Sequence, residues 1–221
     1  MVLSSRLRGR YANMKLVVFG ASGGTGREIV KHALEQGHEV TAFVRDPKKL
    51  TIKNNLHVIE GDALNDQSAI ARAITGRDAI ICALGRANSL RSSGLIAGSM
   101  AAIVPEAKKQ DVRRLILISA FGVGDSSRNA PLIMQLVYLL LLRDIYRDKK
   151  AGEDIVKASD RDWTIIHPVI LTNGPKTKAY RSGERLSLKG FPKISRADVA
   201  HFALAQLTDK TFLRKTAVVS T

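Results

Sequence analysis

Short apolar runs alternate with segments of helical periodicity along most of the chain. The apolar runs predict about seven strands, at 15–20, 39–44, 56–60, 79–84, 114–119, 163–167 and 215–219. Apolar positions at helical spacing predict helices at about 24–36, 67–74, 94–109, 131–158 and 196–207, with Pro105 expected to kink or end the third. This alternation favours a single α/β domain over residues 14–221, built on a doubly wound parallel sheet.

A glycine-rich turn directly follows the first predicted strand. Gly20 permits a tight turn, Gly23 lets backbone N–H groups approach a pyrophosphate, and Gly26 lets helix and strand pack closely. The positive end of the next helix then faces the phosphates. A glycine triplet alone also occurs in turns that serve only packing, but this one joins a strand to a helix. The residues predicted to bind a dinucleotide here are Gly20, Ser22, Gly23, Gly24, Thr25 and Gly26.

The second predicted strand ends at Arg45, nineteen residues after Gly26. A dinucleotide site contacts the adenosine ribose at this position, where an acidic residue would accept from a 2′-hydroxyl. A guanidinium instead pairs with a 2′-phosphate through charge-assisted hydrogen bonds. Arg45 therefore predicts that NADP(H) is preferred over NAD(H). Lys48 and Lys49 add positive charge nearby, although a solvated turn after a proline explains them as well.

The carboxyl ends of the next strands provide further candidates, because ligands bind at this edge of a parallel sheet. Asp62 could accept from the adenine amino group, and a turn or helix-capping role explains it equally well. Small residues after the fourth strand leave room for ribose and nicotinamide, and a hydroxyl ends the fifth strand. The additional residues predicted to contact the cofactor are Asp62, Ala63, Ala83, Leu84, Gly85, Ser119 and Ala120.

Composition narrows the function classes further. The 221 residues carry a formal net charge of +15, with 45% hydrophobic and 5% aromatic residues. Such a field attracts polyanions, but the basic residues are dispersed, and we recognise no nucleic-acid-binding module or base-stacking surface. We therefore expect no specific nucleic-acid partner. The single cysteine, Cys82, excludes a disulfide framework and suits a reducing compartment, so we expect a cytoplasmic protein.

Two segments differ in composition from the rest of the chain. Residues 1–13 are basic and lack the apolar core of a secretory signal; a disordered extension, a transit-peptide fragment, a misassigned start or an added cloning sequence would each explain them. Residues 131–142 are strongly apolar, but twelve residues are too few to span a bilayer. We predict no transmembrane segment there. A buried helix, or a surface for a protein partner or self-association, accounts for 131–142.

Five motifs carry a family resemblance, which extends over nearly the whole chain from Met14. They are Gly-Ala-Ser-Gly-Gly-Thr-Gly-Arg (20–27), Val-Arg-Asp-Pro (44–47), Gly-Asp-Ala (61–63), Asp-Trp-Thr-Ile-Ile-His-Pro (162–168) and Ile-Ser-Arg-Ala-Asp-Val-Ala (194–200). Together they resemble the atypical short-chain dehydrogenase/reductases, and within them the NAD(P)H-binding subgroup of NmrA-like proteins and biliverdin-IX beta and flavin reductases. The resemblance implies a Rossmann-like fold and a nicotinamide cofactor, and it leaves the substrate open.

In ordinary members of that family, a Tyr-x-x-x-Lys pair on a helix acts with a serine at the end of the fifth strand. The resemblance therefore implies that Ser119 is catalytic. Tyr146 and Lys150 have the required spacing, one helical turn apart. Tyr146 is accordingly a candidate catalytic acid, although an amphipathic side chain on a charged helix surface would also explain it.

Counting along the chain from the family motifs favours another register for this pair. Counting back from Pro168, and taking Glu153 as the acidic residue four after the family lysine, places that lysine at Lys149. The tyrosine position is then Ile145. In this register the chain retains the cofactor-binding lysine and lacks the phenolic acid. Pro168 is also predicted to contact the cofactor. His167 departs from the family pattern, which commonly has arginine there, and either a structural role or a place at the cofactor site explains it.

A missing phenolic acid changes the expected reaction. Flavins, quinones and similar conjugated acceptors can take their proton from solvent, so hydride transfer from NADPH needs only protein groups that orient the acceptor and exclude water. We therefore expect an NADPH-dependent oxidoreductase acting on such an acceptor. The alternative is a noncatalytic NADP(H)-responsive protein of the NmrA-like type, which would contact a protein partner through residues 131–142.

Overall fold

The central sheet has eight strands in the order β3-β2-β1-β4-β5-β6-β10-β8. The computed structural model describes residues 13–52, 54–85, 93–124, 143–188 and 190–221. The strands are β1 Lys15–Phe19, β2 Glu39–Val44, β3 Leu56–Glu60, β4 Ala79–Cys82, β5 Arg114–Ile118, β6 Asp162–Pro168, β7 Ile170–Thr172, β8 Arg181–Gly183, β9 Lys193–Ser195 and β10 Lys215–Ser220. The helices are α1 Gly24–Glu35, α2 Gln67–Ile74, α3 Leu95–Lys109, α4 Arg143–Ala158 and α5 Arg196–Ala205, with a 3₁₀ turn at Pro47–Lys49.

All seven predicted strands are present and parallel, which confirms the doubly wound α/β architecture. The prediction missed three strands of three residues each. β8 adds an antiparallel edge next to β10, and β7 pairs with β9 in a separate two-stranded sheet. Such short segments contain too few residues to show alternation of apolar and polar positions.

The core lies in two layers because successive strand residues point to opposite faces of the sheet. On β1, the completely buried Leu16 and Val18 pack in one layer with apolar residues of α1 and α5. Val17 and Phe19 pack in the other layer with residues of α2, α3 and α4. Both faces are therefore covered, as expected for a parallel sheet. Ligands of such a sheet bind at the carboxyl edge of its strands.

The helices match the predicted ones to within a few residues, with two qualifications. Residues 131–142, predicted as the first part of the α4 helix and as a partner surface, lie outside the described residues, as do residues 1–12. Pro105 was expected to kink or end the third helix; it does not end it, because α3 continues to Lys109. Pro105 removes the N–H partner of the Ala101 carbonyl. Both residues lie on the exposed side of α3, where water can hydrogen-bond to that carbonyl instead.

Candidate cofactor site

The candidate site lies where the strand order reverses. β1 has β2 on one side and β4 on the other. The chain first adds β2 and β3 on one side of β1 and then adds β4, β5 and β6 on the other side. A crevice at the carboxyl ends of the strands is the usual ligand site of such a fold. Several strands end one or two residues before their predicted limits, because Gly20, Ala83, Leu84 and Ser119 already belong to the loops of this crevice.

The glycine-rich turn is held tightly between β1 and β4. Gly20 adopts a φ of +80°, and a Cβ there would lie 2.7 Å from the Ala83 carbonyl oxygen. A Cβ on Gly26 would overlap the Gly20 carbonyl oxygen, which accepts a 3.0 Å hydrogen bond from the Gly23 N–H. Side chains at either position would push the turn off the sheet. The turn therefore requires glycine for the reasons that the sequence suggested.

The first turn of α1 is open to an anion. Its N-cap residue is Gly23, no described side chain caps the helix, and the first turn contains no acidic residue. Gly23 and Gly24 are exposed, whereas Thr25 and Gly26 are buried beneath them. Unpaired N–H groups at a helix N-terminus favour bound phosphate. The residues present thus fit the pyrophosphate of a dinucleotide.

Other helix starts already have their acceptors. Asp66 caps α2 by accepting from the Ala69 N–H at 2.9 Å, and Ser195 caps α5 by accepting from the Asp198 N–H at 2.9 Å. In α3 the acceptor comes from another helix, since the Asp148 carboxylate receives the Ile96 and Ala97 N–H groups at 3.0 and 2.9 Å. Among these helices, α1 is the one whose N-terminus lacks a side-chain acceptor in the described part of the chain.

On the adenosine side, Arg45 follows β2 and is exposed. It forms no hydrogen bond or ion pair with the described residues. The neighbouring Lys48 N–H is bound by the Asp46 carboxylate at 3.0 Å, which fixes the 3₁₀ turn. After β3, the Asp62 carboxylate accepts from the Leu64 N–H at 2.9 Å. Asp62 therefore has the predicted role in a turn. The contact of Asp62 with adenine stays a prediction, as does the contact of the buried Ala63 with the cofactor.

On the side predicted to receive the nicotinamide, three buried polar side chains form one hydrogen-bonded cluster. The Ser119 hydroxyl donates to Glu153 Oε1 at 2.5 Å, and His167 Nε2 lies 2.7 Å from the same oxygen. Ser119 is 6%, Glu153 1% and His167 2% exposed. Lys157 Nζ binds the other oxygen, Oε2, at 3.2 Å. The cluster joins the ends of β5 and β6 to the middle of α4.

The neighbours of Glu153 keep its carboxyl group ionised. Burial raises the pKa of Glu153, but its hydrogen bond and ion pair with His167, together with the Ser119 and Lys157 contacts, bring it below its ordinary value. A carboxylate in that state accepts only, so the Ser119 proton points at Glu153. The serine oxygen is then left as an acceptor toward any ligand.

Helix α4 presents the two candidate lysines differently. Lys149 is half-buried, and its burial lowers the pKa of its ammonium group. The neighbouring Cys82, Glu153 and Asp148 raise that pKa by a smaller amount. Lys150 is exposed and binds Asp154 at 2.6 Å. Burial also raises the pKa of Cys82 to about 11, so the thiol stays neutral at the end of β4. Lys149 is the lysine that lies against the sheet, as the second register requires.

The other predicted residues line the same edge. Tyr146 is half-buried, and its hydroxyl donates to the Phe121 carbonyl at 3.0 Å. Ala83, Leu84 and Ala120 are half-buried, Gly85 is exposed, and Pro168 is buried at the end of β6. The Phe121 N–H donates to the Pro168 carbonyl at 2.9 Å, which ties the loops after β5 and β6 together.

Sequence reasoning missed two residues at this edge. Asp148 caps α3 from α4, and Arg196, the first residue of α5, lies against Gly24 of the glycine-rich turn. The motif 194–200 was recognised from the sequence, but only the capping residues Ser195 and Asp198 were interpreted. The motif itself was the available signal for Arg196, whereas nothing local to Asp148 indicated a contact with α3.

Other kinds of site find no support in the described residues. They contain no group of three or more His, Cys, Asp and Glu side chains arranged to hold a metal ion. No helix among them has both the length and the apolar character needed to cross a bilayer.

Comparisons with known proteins identify relatives of this chain in sequence and in fold. The chain is 25% identical to the reductase pytE of Aspergillus terreus over 243 residues, covering 88% of this chain and 92% of that protein. Its fold is similar to that of ChuY, an anaerobillin reductase from Escherichia coli O157:H7, with a TM-score of 0.77, 24% identity and coverage of 93% and 96%.

A further structure shows the same fold with a cofactor. A short-chain dehydrogenase/reductase from Veillonella parvula in complex with NADP has a TM-score of 0.76, 20% identity and coverage of 94% of both chains. At these identities the structural likenesses show the fold alone. The model of a family described as NAD(P)H-binding matches residues 20–210. This chain therefore belongs to that NAD(P)H-binding family, as its motifs predicted.

Proposed function

We propose that this protein is an NADPH-dependent reductase that transfers hydride to a small conjugated acceptor such as a flavin or a quinone. The observation that carries the proposal is the exposed Arg45 at the end of β2, together with the N-terminus of α1, which no described side chain caps. A guanidinium there favours a 2′-phosphate, and an open helix N-terminus favours the pyrophosphate. The reductase pytE supports the reaction class, and the NADP complex of the Veillonella protein supports the cofactor.

The nicotinamide side of the site supports a reaction without a phenolic acid. Bound NADPH would supply the hydride. The Ser119 proton is held by Glu153, and the Tyr146 hydroxyl is bound to the Phe121 carbonyl. Lys149 would bind the nicotinamide ribose. Because neither hydroxyl is set to protonate a substrate, an acceptor that takes its proton from solvent suits the site best.

The first experiment is a titration of the purified protein with NADPH and NADH, followed by oxidation assays with flavin and quinone acceptors on the same sample. We expect tighter binding of NADPH and turnover above the free-acceptor background. Selective binding without turnover would instead favour an NADP(H)-responsive binding protein. No binding of either cofactor would contradict the proposed function altogether.

Arg45→Ala tests the cofactor preference. We expect affinity for NADPH to fall by about 1–3 kcal/mol, the usual cost of losing a charge-assisted hydrogen bond, with little change for NADH. The matched control is Lys48→Ala, which removes a neighbouring exposed cation three residues away and should have a smaller effect. Equal losses for the two cofactors with Arg45→Ala would show that this residue does not contact the 2′-phosphate.

A further inference from the structure

A surface cavity of about 440 Å³ opens beside the first turn of α1. Its wall includes Gly24, Arg27 and Lys31 from α1, together with Asn173 and Arg196 from the opposite side. The charged side chains of the lining are three cations and the single carboxylate of Glu28, so the cavity is net positive. It therefore suits an anionic group next to the open helix N-terminus.

Arg196 reaches the glycine-rich turn from α5. An added Cβ on Gly24 would lie 2.7 Å from Arg196 Nε and 2.8 Å from its Cδ, so the guanidinium group occupies the space that glycine leaves. The arginine is only half-buried, and its Nη1 donates to Asn173 Oδ1 at 2.7 Å. No carboxylate pairs with this guanidinium among the described residues.

The base of Arg196 is firmly held. The adjacent Ser195 caps α5 and donates to the Pro175 carbonyl at 2.9 Å. Asp198, one turn further on, accepts the Thr177 and Lys178 N–H groups at 2.8 and 2.7 Å. These bonds fix the start of α5 against the segment after β7. With the backbone fixed, the hydrogen bond to Asn173 orients the guanidinium, so less side-chain entropy is lost when it binds a ligand.

We propose that Arg196 binds the pyrophosphate of the dinucleotide, opposite the backbone N–H groups of α1, and that Asn173 is the residue that positions it. A guanidinium presents a planar fork of donors that matches phosphate oxygens. The N-terminus of α1 supplies donors from the backbone, and Arg196 adds a full positive charge. The inference rests on the proposed dinucleotide site and assigns to Arg196 a role distinct from that of Arg45, which would contact the 2′-phosphate.

The test compares Arg196→Gln with Arg45→Ala in titrations with ADP-ribose, NADH and NADPH. ADP-ribose carries the pyrophosphate and lacks both the nicotinamide and the 2′-phosphate. We expect Arg196→Gln to weaken all three ligands by a similar factor, about 10- to 100-fold. Arg45→Ala should weaken NADPH alone. Arg196→Lys, which keeps the charge and loses the fork, should recover part of the affinity.

The control is Lys210→Gln, because Lys210 is an exposed cation after α5 that does not line the cavity. It should change each affinity by less than about twofold if contact matters more than the general field. Thermal unfolding of each variant verifies that the fold is retained. Unchanged ADP-ribose affinity with a folded Arg196→Gln protein would overturn the proposal, as would a loss confined to NADPH.

The role of Asn173 is tested by a double-mutant cycle. Asn173→Ala should weaken ADP-ribose about 3- to 10-fold in the unmodified protein and have no further effect in the Arg196→Gln background. Additive losses would show that Asn173 does not act through Arg196. If the unmodified protein binds no ADP-ribose or dinucleotide, the proposed function fails as well, whereas binding that survives Arg196→Gln removes only this inference.

Discussion

The two sides of the crevice are built differently. The pyrophosphate side uses backbone groups of residues 20–26, which are neighbours in sequence, and exposed cations around them. The nicotinamide side uses Ser119, Glu153 and His167, which lie on three different elements and are almost completely buried. Changes on the first side should therefore act on ligand affinity, whereas changes on the second should act on the stability of the fold as well.

The largest effect is expected for Glu153→Ala. His167 and the Ser119 hydroxyl would lose their common acceptor inside the protein. Leaving a buried polar group without its partner costs about 1–3 kcal/mol, so losing the acceptor of both groups should cost about 2–6 kcal/mol. We expect a loss of that size in the free energy of unfolding, measured with urea. The matched control is Asp154→Ala on the exposed face of α4, which breaks only the pair with Lys150 and should cost less than about 0.5 kcal/mol.

A second measurement separates the charge of Glu153 from its packing. The folded state lowers the pKa of this carboxyl below its ordinary value of 4.5, so ionised Glu153 stabilises the fold above that pH. The stabilisation is lost as the pH falls through the folded-state pKa. The deficit of Glu153→Gln relative to the unmodified protein should therefore shrink as the pH falls below about 4.5. A deficit that stays constant to pH 3 would mean that packing alone accounts for it.

The same difference explains how far the sequence could predict the molecule. Strand, glycine turn and helix are consecutive from Lys15 to Glu35, so local pattern predicted them together with the position of the dinucleotide. Ser119 and Glu153 are 34 residues apart and meet only because the fold brings the residue after β5 to the middle of α4. No local pattern encodes that pairing. The sequence predicted Ser119 as a site residue and gave no sign that its proton would be held by Glu153.

Asp148 and Arg196 show the same limit. Each sits on a helix that the sequence predicted correctly, and each acts on a partner more than fifty residues away, Ile96 and Gly24 respectively. Helix periodicity predicts which face is buried and does not predict which neighbouring helix or turn the polar face meets. The family motifs favour Lys149 over Lys150, because counting from Pro168 and Glu153 gives a register along α4 that spacing alone leaves open; that register stays a prediction.

Lys149→Met should separate binding from stability. Burial lowers the pKa of this lysine, which means that its charged form costs folding free energy at neutral pH. Glu153 and Asp148 keep other partners when it is removed. We expect the free energy of unfolding to rise by about 1 kcal/mol, while affinity for NADPH falls about tenfold through loss of the ribose contact. Lys150→Met, on the exposed face, should change neither quantity appreciably; a loss of NADPH affinity confined to Lys150→Met would reverse the assignment of the two lysines.

The smallest effect on turnover is expected for Tyr146→Phe. The tyrosine hydroxyl donates to the Phe121 carbonyl at 3.0 Å, so its removal should cost about 1 kcal/mol of stability and leave the acceptor geometry intact. With an acceptor that turns over, kcat should fall less than about threefold, because a general acid is worth about 100-fold or more. A loss of that larger size, with unchanged NADPH affinity and a shifted pH profile, would identify Tyr146 as the proton donor. The nicotinamide side would then contain the Tyr146–Lys150 pair of ordinary family members, and Lys149 would lose its assigned role.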